Sequence, residues 1–197
     1  MKVIQETVYE VEKIGWWNMK VPDLSDTLDA QMYNWHVEGT VNYTNGFLVS
    51  IQELHVTTIQ QHVFTASSTN ISTATVSGQL HLMHPRIGFD MTVNLTNEGV
   101  KHYTAVIPYV NAVFTCSIQK NLNSETITSD CRNTNFQGEN ARLTEYLPAD
   151  HITEVISRNF SPTRVNIASW NPTLNSILQD IVTHRAEFPE ICHDCLN

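Results

Sequence analysis

The residues whose types and spacing could do chemistry are few. Cys192-His193-Asp194-Cys195 has the Cys-x-x-Cys spacing of a redox dithiol or of half a zinc site. A redox pair normally opens a helix after a strand, and structural zinc asks for a full set of ligands. This pair follows Pro189 at the chain end with no second pair near it, so a terminal disulfide or crosslink of Cys192 and Cys195 is the expectation. Cys116 and Cys131 flank Asn123-Ser124 symmetrically, and a two-residue hairpin there would set them directly opposite, which is disulfide geometry. An even cysteine count favours an oxidising compartment, although count alone leaves the pairing open. His81 and His84 lie on a presumed strand or its turn, point different ways and chelate poorly. No Gly-x-Ser-x-Gly, phosphate-cradling glycine loop, kinase or zincin signature is present. No catalytic residue, metal or cofactor is therefore nominated, and an enzyme is not expected. Asn42, Asn70 and Asn94 lead glycosylation sequons, as does Asn159, weakened by Pro162; about three such sites arise by chance at this Asn, Ser and Thr content.

Composition narrows the classes further. A chain of 197 residues with 41% hydrophobic residues supports one domain over 1–197 with a full core. The net charge of −9, from 20 acidic and 11 basic residues without a Lys or Arg cluster, argues against nucleic-acid partners. No apolar run approaches the roughly 20 residues of a transmembrane segment, and none near Met1 resembles a signal h-region. That leaves a cytosolic protein or a leader outside this sequence, and the cysteines favour secretion.

Alternation supplies the elements that must hold these side chains. From Trp35 to Val93 apolar and polar residues alternate with the period of half-buried strands. Trp35, Val37, Val41 and Tyr43 share one face, and Phe47, Val49 and Ile51 share the face of the next run. Thr44-Asn45-Gly46 between them predicts a hairpin turn in which Tyr43 meets Phe47 and Val41 meets Val49. Val76, Gly78, Leu80 and Leu82 then oppose Ile87, Phe89, Met91 and Val93, pairing Leu82 with Ile87 and Leu80 with Phe89 in a second hairpin. A one-residue slip would turn either face to water. Tyr103, Ala105 and Ile107 continue the apolar face on a strand that Pro108 is expected to end. Phe114, Cys116 and Ile118 begin the cysteine hairpin, whose polar return strand over 126–131 is expected at an edge. Residues 133–140 read as loop around Phe136.

Both ends of the chain change period. Residues 3–17 read as an amphipathic helix with Ile4, Val8, Val11 and Ile14 on one stripe. Residues 19–26 form a connector containing Pro22. Pro148 opens a helix carrying Ile152, Val155, Ile156 and Phe160, closed by Ser161-Pro162. Asn171 and Pro172 supply an N-cap and an N1 proline for a last helix with Leu174, Ile177, Leu178, Ile181 and Val182 at helical spacing. Strands in the middle and helices at both ends give an α+β fold, an antiparallel sheet with its apolar side closed over by helices. The centre either packs tightly or leaves a lipid-sized cavity, which periodicity does not distinguish.

The connector itself, Met-Lys-Val-Pro-Asp-Leu-Ser-Asp after an amphipathic helix, resembles the corresponding segment of the group-seven dust-mite allergens. The strand block with Gly39 and Val41, and the Asn-Pro-led helix over 172–187, are similar to theirs. Those allergens belong to the tubular lipid-binding superfamily, with bactericidal permeability-increasing, takeout and insect juvenile-hormone-binding proteins. The cysteine pattern departs from the mite and takeout patterns. What the resemblance implies is a curved antiparallel sheet wrapped around a long C-terminal helix, an elongated apolar groove, secretion and no catalytic residues.

The resulting expectation is a secreted, single-domain carrier of an apolar or amphipathic small molecule, such as a lipid, fatty acid or terpenoid. Its candidate wall residues are Val37, Val41, Leu80, Leu82, Phe89, Met91, Ile156, Phe160, Ile177, Leu178 and Ile181. Burying roughly 300 Å² of ligand at about 25 cal/mol per Å² yields about 7 kcal/mol before association costs. The alternative is a non-enzymatic recognition protein with a filled core, binding lipopolysaccharide, a membrane or a protein; an acidic surface suits anionic lipids poorly. Weak self-association is compatible with either.

Overall fold

In a computed structural model, residues 2–15, 18–66 and 71–188 are described. Their spine is strand β7 (Gly99–Asn121), 23 residues long and roughly 75 Å end to end at about 3.3 Å per residue. Two shorter strands lie head to tail along each of its sides. On one side β6 (Arg86–Leu95) pairs with its first half and β5 (Ile71–Met83) with its second. On the other, β9 (Glu145–Leu147) and β8 (Ile127–Gly138) do the same. Beyond β6 comes β3 (Trp35–Ser50), whose outer side carries β1 (Lys20–Val21) and β2 (Leu24–Met32); beyond β5 comes β4 (Glu53–Ala66). All of these pairings are antiparallel, and they form one nine-stranded sheet with three α-helices: α1 (Lys2–Ile14), α2 (His151–Asn159) and α3 (Asn171–His184). The α+β class and the antiparallel sheet are as expected.

The inner face of the sheet is the core. Val41, Tyr43, Ile87, Phe89, Ile107 and Phe114 are all within 2% of full burial, and Ile152, Val155 and Ile156 of α2 and Leu174, Leu178 and Val182 of α3 close over them. Trp170 stacks at 6.3 Å on Phe114, and its indole Nε1 donates to the Lys20 carbonyl. The start of α2 is set by a capping box: Asp150 Oδ1 accepts from the Ile152 and Thr153 amides, and Thr153 Oγ1 accepts from the Asp150 amide.

Helix α3 is held by a different device. Asn171, Asn175 and Gln179 lie four residues apart on one face, and their side-chain oxygens accept from the backbone amides of Asn133, Cys131 and Ser129 on the outer edge of β8. Four helical residues rise about 6.0 Å and two strand residues about 6.7 Å, so each turn of helix meets the next outward-pointing amide of the strand. Gln179 also donates to the Ile127 carbonyl. The edge that alternation left open is thus satisfied by side chains.

Several expected pairings are different. No hairpin forms at residues 44–46: β3 runs straight through. Asn45, at φ 55, makes a bulge whose amide donates to Asp23 and whose side chain donates to Asp90. The bulge reverses parity, so Leu48 is buried while Val49 is exposed. Gly46 is small because Phe89 lies over it; a Cβ there would come within 2.4 Å of the ring. β5 and β6 do not pair with each other but each with β7, where Leu80 opposes Phe114 and Phe89 opposes Ala105. The apolar faces were legible and the partners were not, because parity is satisfied equally by either partner. Pro108 does not end a strand; it lies inside β7 at the seam where β7 changes partners. Residues 133–138 belong to β8, with Phe136 stacked on Tyr109 at 4.2 Å. The connector 19–26 contains β1 and the start of β2, and Trp35 is half exposed against His151.

The helices are shorter than expected. α1 stops at Ile14, where Gly15 takes φ 87; Trp16 and Trp17 lie outside the described residues. The C-terminal helix has 14 residues, about 21 Å at 1.5 Å per residue. It starts one residue before Pro172, and the Asn171 side chain, expected as N-cap, reaches β8 instead. So short a helix is not the long axis expected for the whole sheet to wrap around; it packs mainly against β8 and α1.

Candidate functional site

Between α1, α3 and the second half of the sheet lies an apolar slot of about 100 Å³. Its floor is Val76, Gly78 and Leu80 of β5 with Cys116 and Ile118 of β7, and Cys131 of β8 and Ile59 of β4 stand at its sides. Val3 and Thr7 of α1 and Leu174 and Leu178 of α3 form the roof. Among the described residues no Asp, Glu, His, Lys or Arg lines it, and its polar residues are Thr7, Ser77 and Gln79. Thr7 turns its hydroxyl back to the Val3 carbonyl at 2.9 Å and presents its methyl group. A space of this kind can take up hydrocarbon, and its described lining supplies no charged group.

Each wall element is there for a local reason. Gly78 opposes Cys116 in the ladder and the β4 bulge at Thr58 and Ile59 on its other side, so the floor is depressed at that point. Cys116 and Cys131 face each other across β7 and β8 and are joined by a disulfide, as the symmetry about Asn123-Ser124 predicted. The turn is longer than two residues: Asn121 Oδ1 accepts from the Asn123 and Ser124 amides, and the Asn121 amide donates to the Thr126 carbonyl. The roof helix α1 is anchored at its C-terminal half by Val11, 1% exposed, and by an ion pair between Glu10 and Arg185. The Arg185 hydrogen bond holds the Glu10 carboxyl below its usual range. Toward the N-terminus, Val3 is only half-buried.

Of the residues expected to form a ligand wall, Leu80 and Leu178 line this slot. Val41, Ile156 and Phe160 line a crevice of about 20 Å³ beside α2, the room of one water. Val37, Leu82, Phe89, Met91 and Ile181 are packed in the interior, and Ile177 is half-buried on α3. Sequence reasoning missed Val3, Ile59, Val76 and Leu174; the small residue Gly78 opposite a cysteine was the available signal. Two broader, open clefts flank Leu147, one beside α2 and the other, more polar, over β6 and β7. In one of them Asp150 accepts from Tyr103 Oη at 2.8 Å, and burial pushes the Tyr146 phenol up to about 12. Asn42 accepts from Ser25 within the sheet and Asn94 is exposed on β6, whereas Asn70, Cys192 and Cys195 lie outside the described residues. No described helix is long and apolar enough to cross a membrane.

No family model and no curated protein matches the chain. Among solved structures it is similar to the crystal structure of a lipopolysaccharide binding protein, with 8% identity and a TM-score of 0.53 over 92% of this chain. This chain spans 37% of that one. The likeness is one of fold alone, and it carries nothing that singles out the dust-mite group resembled by the connector segment.

Proposed function

We propose that this chain binds a lipid-class ligand non-catalytically, inserting an acyl or other hydrocarbon segment into the slot between α1, α3 and strands β5, β7 and β8. The observation that carries the reading is the slot itself: a partly open space with mainly apolar walls and, among the described residues, no titratable lining. An apolar cavity of about 150 Å³ stays dry and takes benzene, whereas whole-ligand pockets run from about 300 Å³ upward. The slot therefore accepts the end of a chain. The disulfide in its wall supports a secreted carrier. The fold likeness to a lipopolysaccharide binding protein is compatible with lipid in general, and the net charge of −9 favours a neutral or weakly charged ligand over a phosphorylated one.

Native mass spectrometry of the purified protein, followed by organic extraction, tests this. Co-purifying lipid, or displacement of a fluorescent fatty acid by a panel of fatty acids and terpenoids, is the expected result. A protein that is empty and indifferent to the whole panel overturns the carrier reading.

A further inference from the structure

His81 has its partner across the sheet and not along the chain. His84, three residues on, stands between β5 and β6 at φ 49. The residue directly opposite His81 is His55 of β4. The ladder is regular here, with Glu53 opposite Met83, His55 opposite His81 and Thr57 opposite Gln79, and these positions alternate with Leu54, Val56, Leu80 and Leu82, which pack into the core. The two imidazoles therefore share the outer face, with Cβ atoms about 4.5–5.5 Å apart. Each ring is oriented through the same nitrogen. His55 Nε2 lies 2.8 Å from Glu53 Oε2, and a carboxylate only accepts, so Nε2 carries the proton. His81 Nε2 lies 2.9 Å from Thr57 Oγ1 and 3.4 Å from Gln79 Oε1, a carbonyl oxygen, which again places the proton on Nε2. In the neutral rings the lone pair is then on Nδ1, and neither Nδ1 is hydrogen-bonded to a described residue.

We infer that His55 and His81 bind one borderline transition-metal ion, zinc or copper(II), through their Nδ1 atoms, pinning β4 to β5. A ring whose N–H is held by a carboxylate or another oxygen, with the lone pair of its second nitrogen free, is the arrangement of a metal-ligating histidine. Glu53 and Thr57 play the holding part for the two rings. Tetrahedral zinc, with Zn–N about 2.0–2.1 Å, needs its nitrogens about 3.3 Å apart. Nδ1 is the ring nitrogen nearer Cβ, so its separation follows that of the Cβ atoms and closes to this value by side-chain rotation without a change of register. No set of three His, Cys, Asp or Glu residues is gathered for a metal among the described residues; the site is a clamp of two imidazoles, with water completing the coordination. Imidazole suits zinc and copper, whereas calcium and magnesium ask for oxygen ligands.

Cys192-x-x-Cys195 can also take such ions, so calorimetric titration of the full chain carrying Cys192→Ser and Cys195→Ser tests the proposal. Zinc and copper(II) should each bind at one equivalent and raise Tm, and calcium and magnesium should do neither. His55→Ala and His81→Ala should each abolish that equivalent without changing the metal-free melt, and His84→Ala should leave it intact. Glu53→Gln, which keeps an acceptor oxygen but not the charge, should weaken binding about tenfold. Electron paramagnetic resonance of the copper(II) form should show coupling to imidazole nitrogen, a readout that needs no variant. A chain that binds neither ion overturns the proposal, as does an equivalent that survives His55→Ala or His81→Ala, or a copper spectrum without nitrogen coupling. Loss of binding in His84→Ala as complete as in His55→Ala would refute the cross-strand pair.

Discussion

Gly78→Val is the sharpest probe of the slot. A Cβ placed on Gly78 meets only the Thr57 carbonyl at 3.6 Å and Ile59 Cγ1 at 3.8 Å, both ordinary contacts. The γ-methyl groups then project into a space of about 100 Å³. Three added carbons at about 0.8 kcal/mol each, with about 0.5–1 kcal/mol for removing a strand glycine, set an upper bound near 3 kcal/mol. Partial burial in the unfolded chain brings this to about 2 kcal/mol, a rise in Tm of about 4–8 °C for a chain of this size. The same three carbons exclude as much hydrocarbon from a bound ligand, so affinity for an acyl chain falls about 50-fold. Differential scanning calorimetry and fatty-acid displacement read the two effects on one sample. A lowered Tm would mean the floor has no room; a raised Tm with undiminished binding would place the ligand elsewhere.

Other expectations follow from particular contacts. Asn175→Ala leaves the amide of Cys131, 2% exposed, without its acceptor, and should cost about 1–3 kcal/mol in urea unfolding; a neutral result would mean that the α3 amides contribute nothing. Replacing Cys116 and Cys131 together by alanine opens a loop of sequence separation 15 and should lower stability by about 3 kcal/mol, with fatty-acid binding weakened in parallel because one slot wall loosens. At Asp150 burial would raise the carboxyl, but hydrogen bonds from the Thr153 amide, Tyr103 and the Ile152 amide prevail and hold it below its ordinary 3.8. That stabilisation is present above the unfolded value and lost as pH falls through the lower folded one. The gap in Tm between the natural chain and Asp150→Asn should therefore be full at neutral pH and close as the pH falls below the ordinary carboxyl value; a gap independent of pH would refute it.

What the sequence made legible was which side chains face inward, and what it hid was who pairs with whom. Leu80, Leu82, Phe89 and Met91 were placed on buried faces by alternation, and all are buried. Their partner is β7: Phe114 and Ala112, not Phe89 and Ile87, lie opposite Leu80 and Leu82, and parity is satisfied by either pairing. Bulges erased parity at Asn45, where a left-handed residue adds one position to the strand. β4 was invisible because most of it is exposed, so burial imposes no alternation on its residues. β2 was faint because Leu28 and Met32 are its only fully buried residues. The disulfide, α2 and α3 were readable since their signals are local: symmetric cysteines, an apolar helical stripe, an Asn-Pro start. The slot was only glimpsed, through Leu80 and Leu178, since its volume depends on a missing side chain at Gly78 and on where two distant helices come to rest.

The side-chain clasp between α3 and β8 behaves like a vernier. Four helical residues advance about 6.0 Å but turn about 400°, so each successive amide swings about 40° further round the helix and falls about 0.7 Å short of the strand's repeat. After the third rung the next residue on that face points away, which limits how much of a strand edge one straight helix can satisfy. Inserting or deleting a single residue between Asn171 and Gln179 would rotate the far rungs by about 100° and unfasten them, so length in this segment is constrained more tightly than any one of its apolar side chains.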